Sequence, residues 1–207
     1  ALALALSTLL LSACSGGIDN NRLRVDVVED SPREIAVGRM PLSPTSAYLR
    51  NATAQGLVAF DAEGRVVPAL ASRWIVTDDD LGYIFRLQKI RWNNGREVRS
   101  DEVAAALKTR VAELRGSRFR DELAKIDKIL PMTGKVVEIR LKAPVPNLLE
   151  LLAQPEFGMI HKANGSGPMV AERISGSLQL RNRIDEIDGS IAFDEKRVIL
   201  AAHAPSR

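Results

Sequence analysis

Residues 54–110 read AQGLVAFDAEGRVVPALASRWIVTDDDLGYIFRLQKIRWNNGREVRSDEVAAALKTR, and they decide the predicted fold because several compatible local structure signals follow one another there. Segments 73–77 and 83–88 are rich in β-branched and aromatic residues, and the polar segment 78–82 separates them. Two such runs joined by a short polar connection predict a β-hairpin.

The second run of this hairpin has one apolar face. Tyr83, Phe85 and Leu87 lie on one side of an extended chain, whereas Arg86 and Gln88 lie on the other. Because successive side chains of a strand point to opposite faces, one side of the sheet is predicted to be buried.

An amphipathic helix follows the hairpin. Residues 93–95 (Asn-Asn-Gly) predict a tight turn, since Asn and Gly tolerate the left-handed backbone conformation. Ser100 or Asp101 is then expected to cap a helix that Gly116 ends. Its apolar positions recur every three to four residues and form the predicted buried face: Val103, Leu107, Val111 and Leu114.

The rest of the chain alternates between predicted strands and helices. We predict strands at residues 23–27, 34–38, 135–141, 177–181, 190–193 and 197–201, and helices at residues 45–55 and 119–129 and from Asn147 to Pro155. The last strands are expected to return the chain to the part of the fold that the first strand starts. The fold class that follows is α/β, of the mixed α+β kind.

The composition is that of an ordinary folded protein. Of 207 residues, 45% are hydrophobic and 27% are charged, which suffices for one domain or two small lobes. The 29 basic and 26 acidic residues are interspersed and give a formal net charge of +3, so no basic stripe exists that could follow a phosphate backbone. Nucleic acid is therefore not an expected partner.

The first residues resemble a bacterial lipoprotein signal peptide. Residues 1–13 (ALALALSTLLLSA) carry no charge and are mostly apolar, which is typical of a secretory h-region and cleavage site. A helix of this length spans roughly 20 Å, short of the ~30 Å hydrocarbon core, so a membrane-spanning helix is disfavoured. The sequence Leu11-Ser12-Ala13-Cys14 resembles the lipobox, in which the cysteine accepts a diacylglycerol and becomes the new N-terminus.

Cys14 is the only cysteine of the chain, so no internal disulfide can form. We expect lipid attachment at Cys14, followed by a tether and N-terminal extension over residues 14–32. The protein would then lie on the periplasmic side of the cell envelope, anchored to a membrane by its lipid. The alternative is a core cysteine that follows an apolar helix, although nothing amphipathic surrounds it.

A longer series of motifs resembles a known family. The series consists of Gly56-Leu57, the turn 61–64, Pro68-Ala69-Leu70-Ala71, Trp74, residues 83–87, Trp92-Asn93-Asn94-Gly95 and Ser100-Asp101-Glu102-Val103. Its order and spacing resemble the extracytoplasmic solute-binding proteins of peptide and nickel ABC importers (family 5, oligopeptide/dipeptide-binding type). The similarity covers residues 33–200.

Two flanking motifs extend this resemblance with one departure each. Leu42-Ser43-Pro44 resembles the family's Leu-Asp-Pro element, with Ser43 in place of the usual acid. Gly165-Ser166-Gly167-Pro168-Met169 resembles the family's Gly-Thr-Gly-Pro-aromatic motif, with Met169 in place of the aromatic residue.

The resemblance implies a domain division. The chain would form the first lobe of a two-lobed type II periplasmic-binding-protein clamshell, with the second lobe missing. Residues 33–44 plus 167–207 would form part of lobe I, and residues 45–166 a small α+β subdomain. Because a clamshell buries its ligand between two lobes by hinge closure, a first lobe alone would bind weakly or not at all.

The resemblance also implies a function. The protein would be a lipid-anchored monomer that captures peptides, or a related small solute, for the permease subunits of an ABC importer. The implied ligand-binding residues are Gly38, Arg39, Met40 and Gly167, the first three through backbone pairing with an extended peptide. Arg39 either pairs with a ligand carboxylate or is a surface residue. The alternative function is a non-transport envelope lipoprotein that uses one such lobe as a structural or interaction module.

No catalytic, metal-binding or cofactor-binding constellation is predicted, so we do not expect an enzyme. His161 and His203 are the only histidines, and neither has a second histidine four residues on or a nearby cysteine. The aspartates 78–80 lack the later glutamate of a calcium loop. Residues 165–168 lack the Lys-Ser/Thr pair of a phosphate-binding loop and are predicted to form a tight chain crossing instead.

Overall fold

The computed structural model describes residues 22–28, 40, 42–162, 164–174, 177–182 and 197–203. The helices in these ranges are α1 (Pro44–Thr53), α2 (Ser100–Glu113), α3 (Arg120–Leu123) and α4 (Leu148–Leu152), followed by the 3-10 helix Pro155–Phe157. The strands are β1 (Arg22–Val28), β2 (Val58–Phe60), β3 (Val66–Pro68), β4 (Ala71–Val76), β5 (Gly82–Leu87), β6 (Ile126–Pro131), β7 (Val136–Leu141), β8 (Ile160–His161), β9 (Asn164–Gly165), β10 (Met169–Ile174), β11 (Ser177–Asn182) and β12 (Arg197–His203). The strands predicted at residues 34–38 and 190–193 lie outside the described residues.

The central sheet confirms the predicted hairpin. Its strand order is β4-β5-β7-β6, and all neighbours pair antiparallel. Tyr83, Phe85 and Leu87 are at most 6% exposed, so the predicted face is the buried one. Burying a side chain as large as that of Phe85 stabilises the fold by ~1.5–3 kcal/mol.

Helix α2 packs against this sheet. It contacts β6 and β7, and its predicted apolar face is buried. These side chains belong to the same core cluster as Phe85: Val103, Leu107, Val111 and Leu114. Within the described part of the chain, no helix has the length and apolar content needed to cross a membrane.

The helix predicted at residues 119–129 is wrong for most of its length. Only the four residues of α3 are helical, and the chain then enters strand β6. The mixed apolar pattern of this segment fits a helix or a strand, and β7 decides between them by pairing with β6. Ile129 of β6 is 4% exposed, so the strand contributes to the core.

The predicted cap of α2 is also wrong. The residue before the helix is Arg99, not Ser100 or Asp101, and the Arg99 N–H donates to Glu102 Oε2 at 3.4 Å. Ser100 is itself the first residue of the helix, and its hydroxyl donates to the carbonyl of Met132 at 3.1 Å. The Ser100 side chain thus makes a tertiary contact instead of the helix-capping contact that the local pattern predicts.

Helix α1 begins at Pro44, one residue before the predicted start, and Ser43 caps it. The Ser43 hydroxyl accepts a hydrogen bond from the Ser46 N–H at 3.2 Å. Leu49 is fully buried and forms a small cluster with Leu180 of β11. The helix also contacts β10 and the 3-10 helix.

A second sheet joins distant parts of the chain in the order β1-β12-β11-β10. Strands β1 and β12 pair in parallel, while the other neighbours are antiparallel. The last strands thus return to the strand at residues 22–28, whereas the strand predicted at residues 34–38 lies outside the described residues. Strand β1 falls within residues 14–32, the segment predicted as tether and extension, yet it is part of this sheet.

Candidate functional site

The glycine-serine-glycine-proline motif crosses the C-terminal end of α1. The Gly167 N–H donates to the Thr53 carbonyl at 2.8 Å. The Ser166 hydroxyl is fully buried, accepts from the Gln55 N–H at 3.0 Å and donates to the Met159 carbonyl at 3.1 Å. The predicted tight chain crossing is confirmed.

The motif can lie this close to α1 only because positions 165 and 167 are both glycine. A Cβ on Gly165 would overlap the carbonyl oxygen of Thr53, and a Cβ on Gly167 would lie 2.5 Å from Ala54 N and 2.6 Å from Ala52 O. Because these neighbours are backbone atoms, they cannot rotate away as a side chain could. Gly167 therefore has a packing role, and its contact with a ligand stays a prediction.

The same crossing meets the turn at residues 93–95. The Asn93 N–H donates to the Gly165 carbonyl at 3.0 Å. Gly95 has a φ of +80° and its N–H donates to the Trp92 carbonyl at 2.8 Å, as expected for this tight turn. Two motifs that carry the family resemblance thus lie side by side, although they are far apart in the sequence.

Of the other predicted site residues, the structure describes only Met40. It is half-buried and packs against the main core, shortly before the start of α1. Gly38, Arg39 and Cys14 lie outside the described residues. Ligand contacts at residues 38–40 and lipid attachment at Cys14 stay predictions.

A buried carboxylate, that of Glu102, joins this turn to α2. The Glu102 side chain is 8% exposed, and its two oxygens accept from Trp92 Nε1 at 2.7 Å and from Arg96 Nη2 at 2.6 Å. The His161 ring stacks on Trp92 at a centroid distance of 5.6 Å, and its Nε2 lies 3.7 Å from Glu102 Oε1. These contacts orient buried groups within the core. In the described ranges, no three His, Cys, Asp or Glu side chains lie close enough together to hold a metal ion.

Arg50 is the least expected residue of the interior. It is 0% exposed, and its Nε, Nη1 and Nη2 atoms have no hydrogen-bond partner among the described residues. Burial lowers the pKa of its guanidinium to about 10, and the charge of the nearby Arg110 acts in the same direction. The carboxylates of Glu113 and Glu156 raise that pKa but do not offset the burial.

The sequence contains a signal for this residue that motif reasoning missed. The buried positions of α1 follow helical spacing: Thr45, Ser46, Leu49, Arg50 and Thr53. An arginine that shares the buried face of a helix is unusual, because charged side chains are almost never fully buried unless they are paired.

Comparisons with known proteins identify the family. The chain matches a family model described as bacterial extracellular solute-binding proteins, family 5 middle, over residues 65–183. The glutathione-binding protein GsiB of Escherichia coli O1:K1 / APEC is 32% identical over 114 residues, which are 53% of this chain and 22% of that protein. YgiS of Escherichia coli K12, named a probable deoxycholate-binding periplasmic protein, is 29% identical over 119 residues, 49% of this chain and 22% of that protein. The chain thus spans about a fifth of the length of these curated relatives.

Solved structures identify the fold. The periplasmic binding protein AgaA of A. tumefaciens R10, in complex with agropinic acid, has a TM-score of 0.73 and 23% identity, and the match covers 88% of this chain and 40% of that chain. NikA of Brucella suis, in complex with Fe(III)-EDTA, has a TM-score of 0.70 and 20% identity, with coverages of 86% and 39%. The mixed α/β fold is therefore that of a type II periplasmic binding protein, over the extent of one lobe.

Proposed function

Because the chain belongs to the bacterial extracellular solute-binding proteins of family 5, we propose that it captures peptides, or a related small solute, for an ABC importer. The family match over residues 65–183 is the observation that carries this proposal. Glutathione, the ligand in the name of GsiB, is a peptide, whereas deoxycholate in the name of YgiS is not. Peptides are therefore the first class to test, and small organic solutes the second.

The proposed site lies along α1. Residues 38–40 precede this helix and pair with the backbone of an extended ligand, and Gly167 lies at its other end. A helix of ten residues is ~15 Å long, so a peptide that reaches from one end to the other has roughly four to five extended residues. The glycine-dependent crossing supports such a site because a rigid backbone lowers the entropic cost of binding. Closure of a second lobe then buries the solute.

The domain division is part of the same proposal. Residues 33–44 plus 167–207 belong to lobe I together with strand β1, which pairs with β12, and residues 45–166 form the small subdomain. The protein acts as a monomer and hands its solute to the permease subunits.

We also propose a lipid anchor at Cys14 that holds the protein on the periplasmic side of a membrane. The apolar, uncharged residues 1–13 and the lone cysteine that follows them support this attachment. Growing cells with labelled palmitate tests it: the wild type takes up label and Cys14→Ala does not. Equal labelling of the two proteins contradicts the anchor.

A thermal-shift screen of the mature, full-length protein tests solute binding. Peptides of two to six residues form the main arm, with bile acids, sugars and metal chelates as further arms. A solute at a hundredfold its Kd stabilises the protein by ~2.7 kcal/mol, which raises Tm by roughly 5–10 °C for a protein of 150–250 residues and by less for a longer one. Screening should give such a shift with a peptide or another small solute. If no arm of the screen shifts Tm, the result favours the alternative function, in which the lobe serves as an interaction module.

A further inference from the structure

We propose that the guanidinium of Arg50 binds a carboxylate group of the solute. The proposal rests on the solute-binding role above and deepens it, because it names the anionic group that the solute carries. The residue that pairs with the solute carboxylate is then Arg50, whereas the sequence motifs suggested only Arg39 for that role.

Three elements meet around this guanidinium. Arg50 lies in the last turn of α1, which contacts the 3-10 helix that carries Glu156. That 3-10 helix also contacts α2, which carries Arg110 and Glu113 near its end. The group is therefore fixed by the packing of elements that are distant in the sequence.

Space for the arginine is provided by a glycine. A Cβ on Gly158 would lie 3.0 Å from both Cγ and Cδ of Arg50. Such a distance is shorter than ordinary carbon contacts, so a larger residue at position 158 would push the Arg50 stem aside. The absence of a side chain there lets the guanidinium occupy its buried position.

The guanidinium lacks the acceptors that a buried arginine requires. It carries five N–H donors and stays charged, yet none of its three nitrogens has a partner among the described residues. Burying an unpaired charge is costly, and native proteins avoid it unless a partner is supplied. The planar fork of donors matches the two oxygens of a carboxylate.

The neighbouring acids are committed elsewhere or too far away to be that partner. Glu113 pairs with Arg110 at 2.6 Å, and Glu156 Oε1 accepts from Arg118 at 3.4 Å. Glu156 Oε2 is buried without a partner, so it does not reach Arg50 either. Three guanidiniums and two carboxylates therefore form this cluster: Arg50, Arg110, Arg118, Glu113 and Glu156. One further carboxylate makes the cluster neutral.

Solvent reaches the edge of this cluster. The side chains of Glu113 and Glu156 are 43% and 15% exposed, whereas the Arg50 nitrogens are covered. Solute entry therefore requires the side chains that cover the Arg50 nitrogens to turn aside.

The test uses the full-length protein and two probes. The first is sodium acetate against sodium chloride at equal ionic strength, read as Tm. The second is trialanine as the free acid and as its C-terminal amide, read as Kd by calorimetry. The variants are Arg50→Met, Arg50→Lys and Glu156→Gln, with Arg86→Met as the control because Arg86 is an exposed arginine of β5.

We expect acetate, but not chloride, to raise the Tm of the wild type and of Arg86→Met. Arg50→Met should not show this rise.

Trialanine should bind Arg50→Met roughly tenfold to a hundredfold more weakly than it binds the wild type, because a charge-assisted hydrogen-bond pair is lost. Amidation should weaken trialanine binding to the wild type by a similar factor and leave binding to Arg50→Met unchanged. Arg50→Lys should lie between them, since it keeps the charge but not the fork. Without carboxylate, Arg50→Met should melt at or above the wild-type temperature because an unpaired buried charge is gone.

Other outcomes overturn the proposal. An equal acetate shift in the wild type and in Arg50→Met, or no acetate shift at all, refutes the site. If Arg50→Met and Glu156→Gln lose the same stability without carboxylate, the partner of Arg50 is Glu156 and the site is refuted as well. A solute that binds Arg50→Met and the wild type equally refutes the site but leaves the solute-binding role intact. Conversely, an acetate effect that depends on Arg50 in a protein that binds no solute of the screen supports the anion site and refutes the wider role.

Discussion

Replacing Gly167 with alanine tests the chain crossing on which the site geometry depends. The added Cβ would lie 2.5 Å from Ala54 N and 2.6 Å from Ala52 O, and both are backbone atoms of the α1 end. The motif must therefore move away from the helix. This movement breaks or lengthens the hydrogen bond from the Gly167 N–H to the Thr53 carbonyl, which is 2.8 Å long.

The cost follows from these two effects. Overpacking a filled interior costs ~1–3 kcal/mol. Losing one buried hydrogen bond adds about 0.5–1.5 kcal/mol. We therefore expect Gly167→Ala to lower the free energy of unfolding by roughly 2–4 kcal/mol, a large share of the stability of a typical domain.

Urea unfolding followed by tryptophan fluorescence measures this loss as a lower midpoint at an unchanged slope. The matched control is Gly116→Ala, because a Cβ there would meet no atom within 4 Å. That control should stay within ~0.5 kcal/mol of the wild type or gain slightly from the smaller entropy of its unfolded chain. A Gly167→Ala midpoint equal to that of the control would show that the crossing has room for a side chain at position 167.

Two further predictions concern single side chains. Trp92→Phe removes the indole donor to Glu102 and leaves a buried carboxylate oxygen without that hydrogen bond. It should therefore lower the free energy of unfolding, measured in urea, by about 1.5–3 kcal/mol. His161→Phe keeps an aromatic ring beside Trp92 and should lower it by less. Hydrogen bonds from the Arg65 backbone, and then from other groups of the same turn, hold the pKa of Asp61 below its ordinary value. A carboxyl with a lowered folded-state pKa stabilises the fold above its unfolded pKa and loses this effect as pH falls through the folded one. The stability difference between the wild type and Asp61→Asn should therefore shrink as pH falls below ~4, and a difference independent of pH would contradict the assignment.

Local patterns predicted most of the central sheet and its helix. The alternation of Tyr83, Phe85 and Leu87 and the spacing of the apolar positions in α2 each depend on neighbours a few residues away. Because a strand repeats every two residues and a helix every 3.6, such short windows carry the information needed. The family resemblance added the lobe to this picture, and the structural comparisons confirm it.

The errors occur where hydrogen bonds to another segment compete with a local preference. Residues 126–131 could complete a helix until β7 offers them hydrogen bonds, and they then form β6. The local pattern favours Ser100 as the cap of α2, but in the structure Ser100 lies inside the helix and its hydroxyl donates to the Met132 carbonyl. In both places the local free-energy difference is small, since helix propensities differ by less than ~1 kcal/mol per ordinary residue, and one tertiary contact reverses it.

Local chemistry alone thus sets the turns, the hairpin, the amphipathic faces and the motifs that reveal the family. Tertiary packing alone sets the parallel pairing of β1 with β12, the need for glycine at positions 165 and 167, and the burial of Arg50 without a partner. Each of these depends on atoms that the folded chain brings together from distant parts of the sequence. A periodic pattern can tell which face of an element is buried, but it cannot tell which backbone or charge will lie against that face.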